Sequence, residues 1–374
     1  MIYLDNAATT QMFEKGVDVY KKYACQSFYN PSAGYNHAND IAKDLNSVRD
    51  AIKRKLGVNG SMIFTGGATE SNNLAIMGSK RNGKWEYVFS EGEHPSVYNV
   101  AKELTNAGHI VHFVKLQKNG QIDYFELEKV LNDRTRLISI MHVSNETGAI
   151  NDLKIISAIR KQLAPKALLH VDGVQAFCKI DGFTIEGLGV DFYTISAHKF
   201  HGPKGVGALY VRDINTLKPI VYGGGQESGY RSGTENVAGI MAMGYAVDNI
   251  DVYNNFQHVA KLNSIMCQIL SQDARVHIQN YVLSSPYILN AWFEGVNAET
   301  LVRALGDEGV LIGKGSACST KKSGNRILES VGFGLDVIKS HVRISFSELN
   351  TEEEIKQAGK IILSVYNDIR EKVS

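Results

Sequence analysis

Cysteine is scarce in this 374-residue chain, which contains Cys25, Cys178, Cys267 and Cys318. The four lie far apart and form no Cys-x-x-Cys pair, so their spacing argues against a zinc site or a disulfide framework. Long apolar runs are also absent, because none approaches the roughly 18 residues that span a bilayer. The first residues, MIYLDNAATT, show no basic segment followed by an apolar one. We therefore expect a cytoplasmic chain.

An excess of charge of either sign is lacking as well. The chain has 40 lysines and arginines against 39 acidic residues, a formal net charge of +1, and no basic or acidic block. Nucleic acid is therefore not an expected partner. The hydrophobic fraction of 44% and the charged fraction of 21% are ordinary for a soluble globular protein. The length exceeds that of most single cores and predicts one large domain plus a smaller one.

Short apolar runs alternate with segments of helical length in the first two thirds of the chain. This alternation predicts an α/β fold with a mostly parallel sheet covered on both faces. Such sheets bind ligands at the carboxyl ends of their strands. The predicted strands are MIFT (62–65), YVFS (87–90), IVHFVKL (110–116), RLISIMHVS (136–144), ALLHVD (167–172) and DFYTIS (191–196).

The alternation of strands and helices restarts after about residue 260, with predicted strands at 287–293, 310–313 and 341–346. This part reads as a smaller α+β domain. We predict a large domain over 15–259 and a small domain formed by 1–14 and 260–374.

Polar residues that could carry chemistry follow several of the predicted strands. A buried strand ends at Lys199 in ISAHKFHGPKG, and an amine there is costly to desolvate unless its charge is accepted or a covalent bond removes it. An arbitrary lysine would more often extend to solvent. The same edge of the sheet is expected to hold His94, Asn145, Asp172, Gln175, Ser196 and His198.

The segment GGATESNN after the first predicted strand indicates a phosphate-binding turn. Gly66 and Gly67 would form a tight turn, and Thr69 would lie in the first turn of a helix whose backbone N–H groups point at one spot. Alone this motif is weak, because two glycines before a helix are common. Combined with a carboxylate, an amide, a histidine ring and a lysine, it suits pyridoxal 5′-phosphate. The lysine would form a Schiff base, and the carboxylate would keep the pyridinium nitrogen protonated.

Seven ordered motifs make the chain resemble the cysteine desulfurases of the NifS/IscS type, in the class-V aminotransferase family. They are YLDNAATT, NPSA, GGATESNNLAI, HVDGVQ, SAHKFHGPKGVG, GGGQESGYRSGT and GSACST, and the match runs from residue 3 to about residue 355. The resemblance implies the fold-type I architecture of pyridoxal-phosphate transferases, with a seven-stranded type of sheet. It also implies a homodimer that converts L-cysteine to L-alanine and keeps the sulfur as an enzyme persulfide.

The resemblance assigns a role to each matching residue. Lys199 would bind the cofactor covalently, Asp172 would pair with the ring nitrogen and Gln175 with the phenolic oxygen. His94 would stack on the ring and act in catalysis by moving protons. Arg343, in HVRISF, would bind the substrate carboxylate as a fork, with Asn145 assisting near the cofactor oxygen. The phosphate would be held by Ala68, Thr69, Ser196 and His198, and by Thr234 of the neighbouring subunit.

Cys318 would be the catalytic nucleophile. Cys178 and Cys267 lie in apolar settings that suit small buried residues, whereas Cys318 is surrounded by Gly, Ser and Lys. Residues 313–326 contain four basic residues and no acidic one, which favours the thiolate. This context resembles the long-loop branch of the family. One departure is Tyr35, which stands after NPSA where the family usually has histidine.

Two other activities remain open at this point. Selenocysteine lyase activity needs nearly the same residues, and a cofactor-free relative could act as an interaction or regulatory protein. The sulfur acceptor is also open, among an iron–sulfur scaffold, a tRNA-thiolation enzyme and a small sulfur carrier.

Overall fold

A computed structural model describes residues 1–279, 283–315 and 325–373 of the chain. Its strands are β1 (Ile2–Leu4), β2 (Ser61–Thr65), β3 (Glu86–Ser90), β4 (Ile110–Val114), β5 (Thr135–Met141), β6 (Leu168–Asp172), β7 (Phe192–Ser196), β8 (Gly207–Val211), β9 (Val276–Gln279), β10 (Ile288–Phe293), β11 (Val310–Ile312) and β12 (His341–Ser345). Its α-helices are α1 (Glu14–Cys25), α2 (Asn36–Leu56), α3 (Ala68–Gly78), α4 (Pro95–Asn106), α5 (Tyr124–Val130), α6 (Leu153–Leu163), α7 (Val237–Asn249), α8 (Val252–Leu270), α9 (Ala298–Asp307), α10 (Arg326–Val331), α11 (Leu335–Ser340) and α12 (Glu352–Val373).

Seven strands form the central sheet, in the order β2-β8-β7-β6-β5-β3-β4. Strand β8 runs antiparallel to both of its neighbours, and the remaining neighbours pair in parallel. This confirms the predicted mostly parallel α/β sheet. The sequence analysis did not predict β8, nor the short strands β1 and β9.

Apolar side chains cover the two faces of this sheet. Tyr87 and Phe89 of β3 pack into a core with α3 and α4, whereas Val88 between them packs into a core with α2, α6 and α7. This alternation is the period of two that a strand buried on both faces requires. Several of the helices begin at an acidic side chain that accepts hydrogen bonds from the first turn, as Asp152 does at α6.

A separate apolar core lies around the three-stranded sheet β12-β10-β9. Ile2 and Leu4 of β1 belong to this core, and β1 pairs in parallel with β11, so the start of the chain packs with its last third. Helices α8 and α12 also contribute to it. The division into 15–259 and 1–14 with 260–374 stays a prediction, and α8 runs through its second limit.

The parallel strands all direct their carboxyl ends to one edge of the central sheet. The segments that follow β2, β3, β5, β6 and β7 therefore meet there, and these segments carry most of the residues singled out in the sequence. Within the three described ranges, no helix is both long and apolar enough to cross a membrane.

Candidate active site

A cavity of about 1250 Å³ opens at the carboxyl edge of the central sheet. The part of the chain around the three-stranded sheet also borders the cavity, because the segment after β1 and residues of β11 and β12 line one side. Ten of the residues predicted from the sequence line this cavity: Ala68, Thr69, His94, Asn145, Asp172, Gln175, Ser196, His198, Lys199 and Arg343. The fold thus brings together side chains that are up to 275 positions apart in the chain.

One corner of the cavity is rich in hydrogen-bond donors. Gly67 precedes α3 with φ of +145°, a backbone conformation that residues with a side chain rarely adopt. A Cβ added to Gly67 would have no atom within 4 Å. The first turn of α3 follows with Thr69, and the backbone N–H groups at the start of a helix have no carbonyl partner within the helix. Ser196 ends β7, and the ring of His198 contacts the hydroxyl of Thr9 at 3.2 Å. The corner offers hydroxyls, an imidazole and backbone donors to an anion.

The acidic floor of the cavity is Asp172, the last residue of β6, whose exposed fraction is 3%. Its Oδ2 accepts from Nδ2 of Asn72 at 2.9 Å, and its Oδ1 accepts from the backbone N–H of Val174 at 3.1 Å. Gly173 must be glycine, because a Cβ there would lie 2.0 Å from the ring of Tyr193. These contacts hold a buried carboxylate in one orientation.

His94 caps α4 from the side of the cavity. Its Nδ1 accepts from the backbone N–H of Ser96 at 3.2 Å and lies 2.8 Å from the Ser96 hydroxyl. Accepting from a backbone N–H leaves the ring proton on Nε2. Burial lowers the pKa of His94, with Asp172 acting in the opposite direction, so the ring is neutral at pH 7.

A buried carboxyl supports the segment that carries His94. Oε1 of Glu93 accepts from the backbone N–H of Met141 at 2.6 Å, which ties the end of β3 to the end of β5. Burial, and then the charge of Asp172, raise the pKa of Glu93 well above its usual range. From α10, Arg326 donates to the backbone oxygen of Glu93. The sequence analysis did not single out Glu93.

Lys199 lies directly after β7 and reaches across to the beginning of the chain. Its Nζ donates to the backbone oxygens of Ala7 and Ala8, each at 2.8 Å. Burial, followed by the charge of Arg343, lowers the pKa of Lys199 to about 8. A lysine of that pKa has an appreciable neutral fraction near pH 7, which a nucleophilic amine requires.

Gln175 follows Asp172 by three residues and its amide orientation is fixed by two partners. Nε2 donates to the backbone oxygen of Ala7 at 2.9 Å, and Oε1 accepts from Nζ of Lys179 at 3.1 Å. The carbonyl of Ala7 can only accept, so the amide nitrogen must face it and the two ends of the amide cannot exchange. One N–H of the amide remains for a ligand in the cavity.

Arg343 presents its guanidinium from β12 between two carboxylates. Nη2 donates to Oδ1 of Asp5 at 2.9 Å, and Nη1 lies 3.5 Å from Oε1 of Glu146 and donates to the backbone oxygen of Asn145 at 2.8 Å. Nε of Arg343 and Oδ1 of Asn145 are buried and lack a hydrogen-bond partner within the part of the chain that the structure describes. These unpartnered groups would suit a ligand with a carboxylate and a polar neighbour.

Sequence reasoning missed Asp5, Asn72 and Glu146, all of which shape the site. Asp5 stands in the quoted motif YLDNAATT, and Glu146 directly follows Asn145, so both were visible in motifs that received attention for other residues. Asn72 lies on α3, and nothing in its sequence context points to Asp172, which is 100 positions away.

Two predicted residues are absent from this set. Thr234 does not line the cavity formed by this chain. Cys318 lies outside the described residues. Burial raises the pKa of Cys178 to about 12 and that of Cys267 to about 11, which disfavours the thiolate of both.

The donor set of the cavity fits pyridoxal 5′-phosphate. That molecule has a phosphate for the corner after β2, a ring nitrogen for a buried carboxylate, a phenolic oxygen for an amide N–H, and an aldehyde for an amine. Asp172, Gln175 and Lys199 supply the last three partners, and all border one cavity.

Comparison with known proteins agrees with this interpretation. The family model of the class-V aminotransferases matches residues 2–358. A NifS/IcsS protein homologue from Lactobacillus delbrueckii subsp. bulgaricus is 37% identical over 363 residues, which are 95% of this chain and 94% of that protein. The cysteine desulfurase IscS of Buchnera aphidicola is 34% identical over 387 aligned positions, which cover 99% of this chain and 94% of that one.

Solved structures show the same architecture. A NifS-like protein superimposes with a TM-score of 0.91 at 30% identity, covering 98% of this chain and 99% of the other. The structure described as SspA in complex with cysteine gives a TM-score of 0.82 at 29% identity, covering 94% and 100%. The chain therefore belongs to the class-V aminotransferase family, in its branch of NifS/IscS-type cysteine desulfurases.

Proposed function

We propose that this chain is a pyridoxal-phosphate-dependent cysteine desulfurase that converts L-cysteine to L-alanine and retains the sulfur as a persulfide on Cys318. The observation that carries the proposal is one cavity that joins a buried carboxylate, Asp172, an amine of lowered pKa, Lys199, and an arginine fork, Arg343. A site that bound only an anion would need Arg343 and the donor-rich corner. It would not need the buried amine of Lys199 at the edge of the sheet.

In this proposal the residues around the cofactor have separate tasks. Asp172 would pair with the ring nitrogen, Gln175 would donate to the phenolic oxygen, His94 would stack on the ring and Lys199 would form the covalent link. When bound, the cofactor supplies an electron sink for the α-carbon of the substrate. The phosphate is held by Ala68 through its backbone, and by Thr69, Ser196 and His198.

Substrate binding would use the opposite side of the cavity. Arg343 would bind the carboxylate of cysteine as a fork, because its Nε lacks a partner within the described residues and Nη2, which donates to Asp5, carries a second N–H. Asn145 donates or accepts beside it. Once the amino group of cysteine has replaced Lys199 on the cofactor, the released Nζ of Lys199 would take the proton from the α-carbon, which its lowered pKa favours at neutral pH.

Sulfur transfer would depend on Cys318. Its thiolate attacks the sulfur of bound cysteine, the new S–S bond forms as the carbon–sulfur bond breaks, and both electrons of the broken bond pass to carbon. Protonation of that carbon, together with return of a proton to the α-carbon, would give alanine, and the sulfur would stay on Cys318 as a persulfide. The unfavourable pKa values of Cys178 and Cys267 leave them unsuited to this step.

A homodimer would complete the phosphate corner. Thr234 does not line the cavity of its own chain, which leaves it available to the neighbouring subunit. The segment that leads to Thr234 exposes Tyr222, whose exposed fraction is 81%, and Phe28 and Tyr35 are also exposed aromatics. Apolar side chains of this size favour contact with a second copy.

We place the enzyme in the cytoplasm, where its persulfide would pass to an acceptor protein. The acceptor is an iron–sulfur scaffold, a tRNA-thiolation enzyme or a small sulfur carrier. Pull-down with persulfide-labelled protein from the source cell would identify which.

The test of the proposed function is alanine formation by the purified holoenzyme. We expect L-cysteine to give alanine and protein-bound sulfur, and Lys199→Ala to give neither. Faster turnover of selenocysteine than of cysteine would favour a selenocysteine lyase. A colourless protein that pyridoxal phosphate cannot turn yellow would contradict the proposal and favour a cofactor-free interaction or regulatory protein.

A further inference from the structure

A second lysine, Lys179, is buried behind the candidate active site and has no task in the proposed function. Its exposed fraction is 5%, and it lies in the turns that follow β6, four residues after Gln175. Lys179 and Lys199 border the same narrow crevice, together with Tyr287 and Glu348. A buried amine costs free energy to desolvate, so its contacts show what holds it there.

The contact that connects Lys179 to the cavity is its hydrogen bond to Gln175. Nζ donates to Oε1 of Gln175 at 3.1 Å, while Nε2 of the same amide donates to the backbone oxygen of Ala7 at 2.9 Å. The oxygen of Ala7 also accepts from Lys199 at 2.8 Å. Covalent modification of Lys199 would release that bond, and Lys179 would still hold the far end of the Gln175 amide.

The surroundings of Lys179 combine an apolar face with charges of both signs. Its Nζ lies 5.5 Å from the centroid of the Tyr287 ring. Burial, followed by the charge of Lys199, lowers the pKa of Lys179 to about 7; Glu348 and Cys178 oppose this shift, and Arg343 adds to it.

Glu348 acts on Lys179 through its charge, and its Oε2 lies 3.2 Å from Nε2 of His201. A neutral or a charged amine can donate to Gln175, so this hydrogen bond persists in both protonation states of Lys179.

We propose that Lys179 is a positioning residue that holds the Gln175 amide with its nitrogen toward the cavity and polarises its N–H toward the phenolic oxygen of the cofactor. This inference rests on the proposed function, because it needs a cofactor linked to Lys199. An amide whose oxygen accepts from an amine is a stronger donor at its nitrogen. A stronger donor favours the phenolate, and with it the deprotonated form of the cofactor–lysine link.

The test is a pH titration of the visible absorbance of the holoenzyme. We expect Lys179→Met to raise the apparent pKa of the lysine-bound cofactor by about one unit. Lys161→Met is the matched control, because Lys161 is an exposed lysine whose Nζ donates to the backbone oxygen of Gly187, and it does not line the cavity. This control should titrate as the parent does. Thermal unfolding of each variant reports whether it has folded.

A double-mutant cycle separates positioning from a field effect of the buried amine. If Lys179 acts through Gln175, Lys179→Met should change the titration in the parent and leave it unchanged in a Gln175→Ala background. Equal shifts in both backgrounds, or no shift in the parent, would overturn the inference. If Lys179→Met does not fold, the same cycle with Lys179→Leu, which also lacks a donor, decides.

A parent protein in which borohydride fixes no cofactor on Lys199 would instead contradict the proposed function. The two failures are therefore distinguishable.

Discussion

Replacement of Arg343 by lysine removes the fork while keeping the positive charge. In the structure Nη2 donates to Asp5 at 2.9 Å and Nη1 donates to the backbone oxygen of Asn145 at 2.8 Å. Nε has no hydrogen-bond partner within the described residues and could donate to a ligand. A single ammonium cannot reach all of these positions at once, because Lys is a point charge on a flexible stem. We expect Arg343→Lys to keep at most one of the two hydrogen bonds that the fork would give to a carboxylate.

The size of the effect follows from the bond that is lost. A hydrogen bond to a charged group contributes about 1.5–3 kcal/mol, and each 1.36 kcal/mol corresponds to a tenfold change in rate. The variant should therefore lose about 10- to 150-fold in kcat/KM for L-cysteine. The loss should appear mainly in KM, because the carboxylate is bound equally before and during the reaction.

The assay compares cysteine with cysteamine, which has the amine and the thiol but no carboxylate. Binding of cysteamine, followed by the change in cofactor absorbance, should be the same in the parent and in Arg343→Lys. Arg303→Lys is the matched control, because Arg303 pairs with Glu299 on the exposed face of α9. If Arg343→Lys binds cysteine as the parent does, the carboxylate site lies elsewhere and the reasoning is refuted.

Further predictions concern the two residues at the centre of the cavity. Because the pKa of Lys199 is lowered to about 8 and only its neutral amine attacks, attachment of added cofactor to the apoprotein should speed up about tenfold per pH unit below 8 and level off above it. A rate that keeps rising to pH 10 would contradict this. Lys199→Ala should abolish turnover yet retain cofactor non-covalently, and borohydride followed by peptide mapping should mark Lys199 in the parent; a label on another lysine would exclude the assignment. Asp172→Asn should slow exchange of the α-proton of alanine in deuterated water more than it weakens cofactor binding, whereas an unchanged exchange rate would rule out its role as partner of the ring nitrogen.

The sequence predicted the fold where local patterns were sufficient. Apolar runs bounded by turn residues identified β2 to β7, because strands buried on both faces are continuous apolar stretches. The same reasoning missed β8, since GALYV follows a glycine-rich turn and its antiparallel pairing depends on partners far along the chain. The pairing of β1 with β11 could not be predicted from local patterns either, because it joins residues about 308 positions apart.

The candidate site was predictable in its side chains and less so in its supports. Each polar residue that ends a parallel strand has a recognisable place in the sequence, and Asp172 and Lys199 were found in this way. The oxygens that accept from Lys199 and Gln175 belong to the backbone of Ala7 and Ala8. Every residue has a backbone oxygen, so the residue type does not reveal this contact. The i, i+4 spacing of Gln175 and Lys179 was visible, but its meaning depends on the burial of both.

Sulfur transfer to Cys318 is the central claim, and substitution of that residue tests it most directly. Cys318→Ser should keep the yellow cofactor and its response to added cysteine, yet release almost no alanine, because a serine hydroxyl stays protonated at neutral pH and attacks sulfur poorly. Cys25→Ser, Cys178→Ser and Cys267→Ser are the matched controls and should retain activity. Mass spectrometry of the cysteine-treated parent should find one added sulfur on the peptide that contains Cys318. Alanine and sulfide formed by Cys318→Ser at the parent rate would contradict the persulfide mechanism.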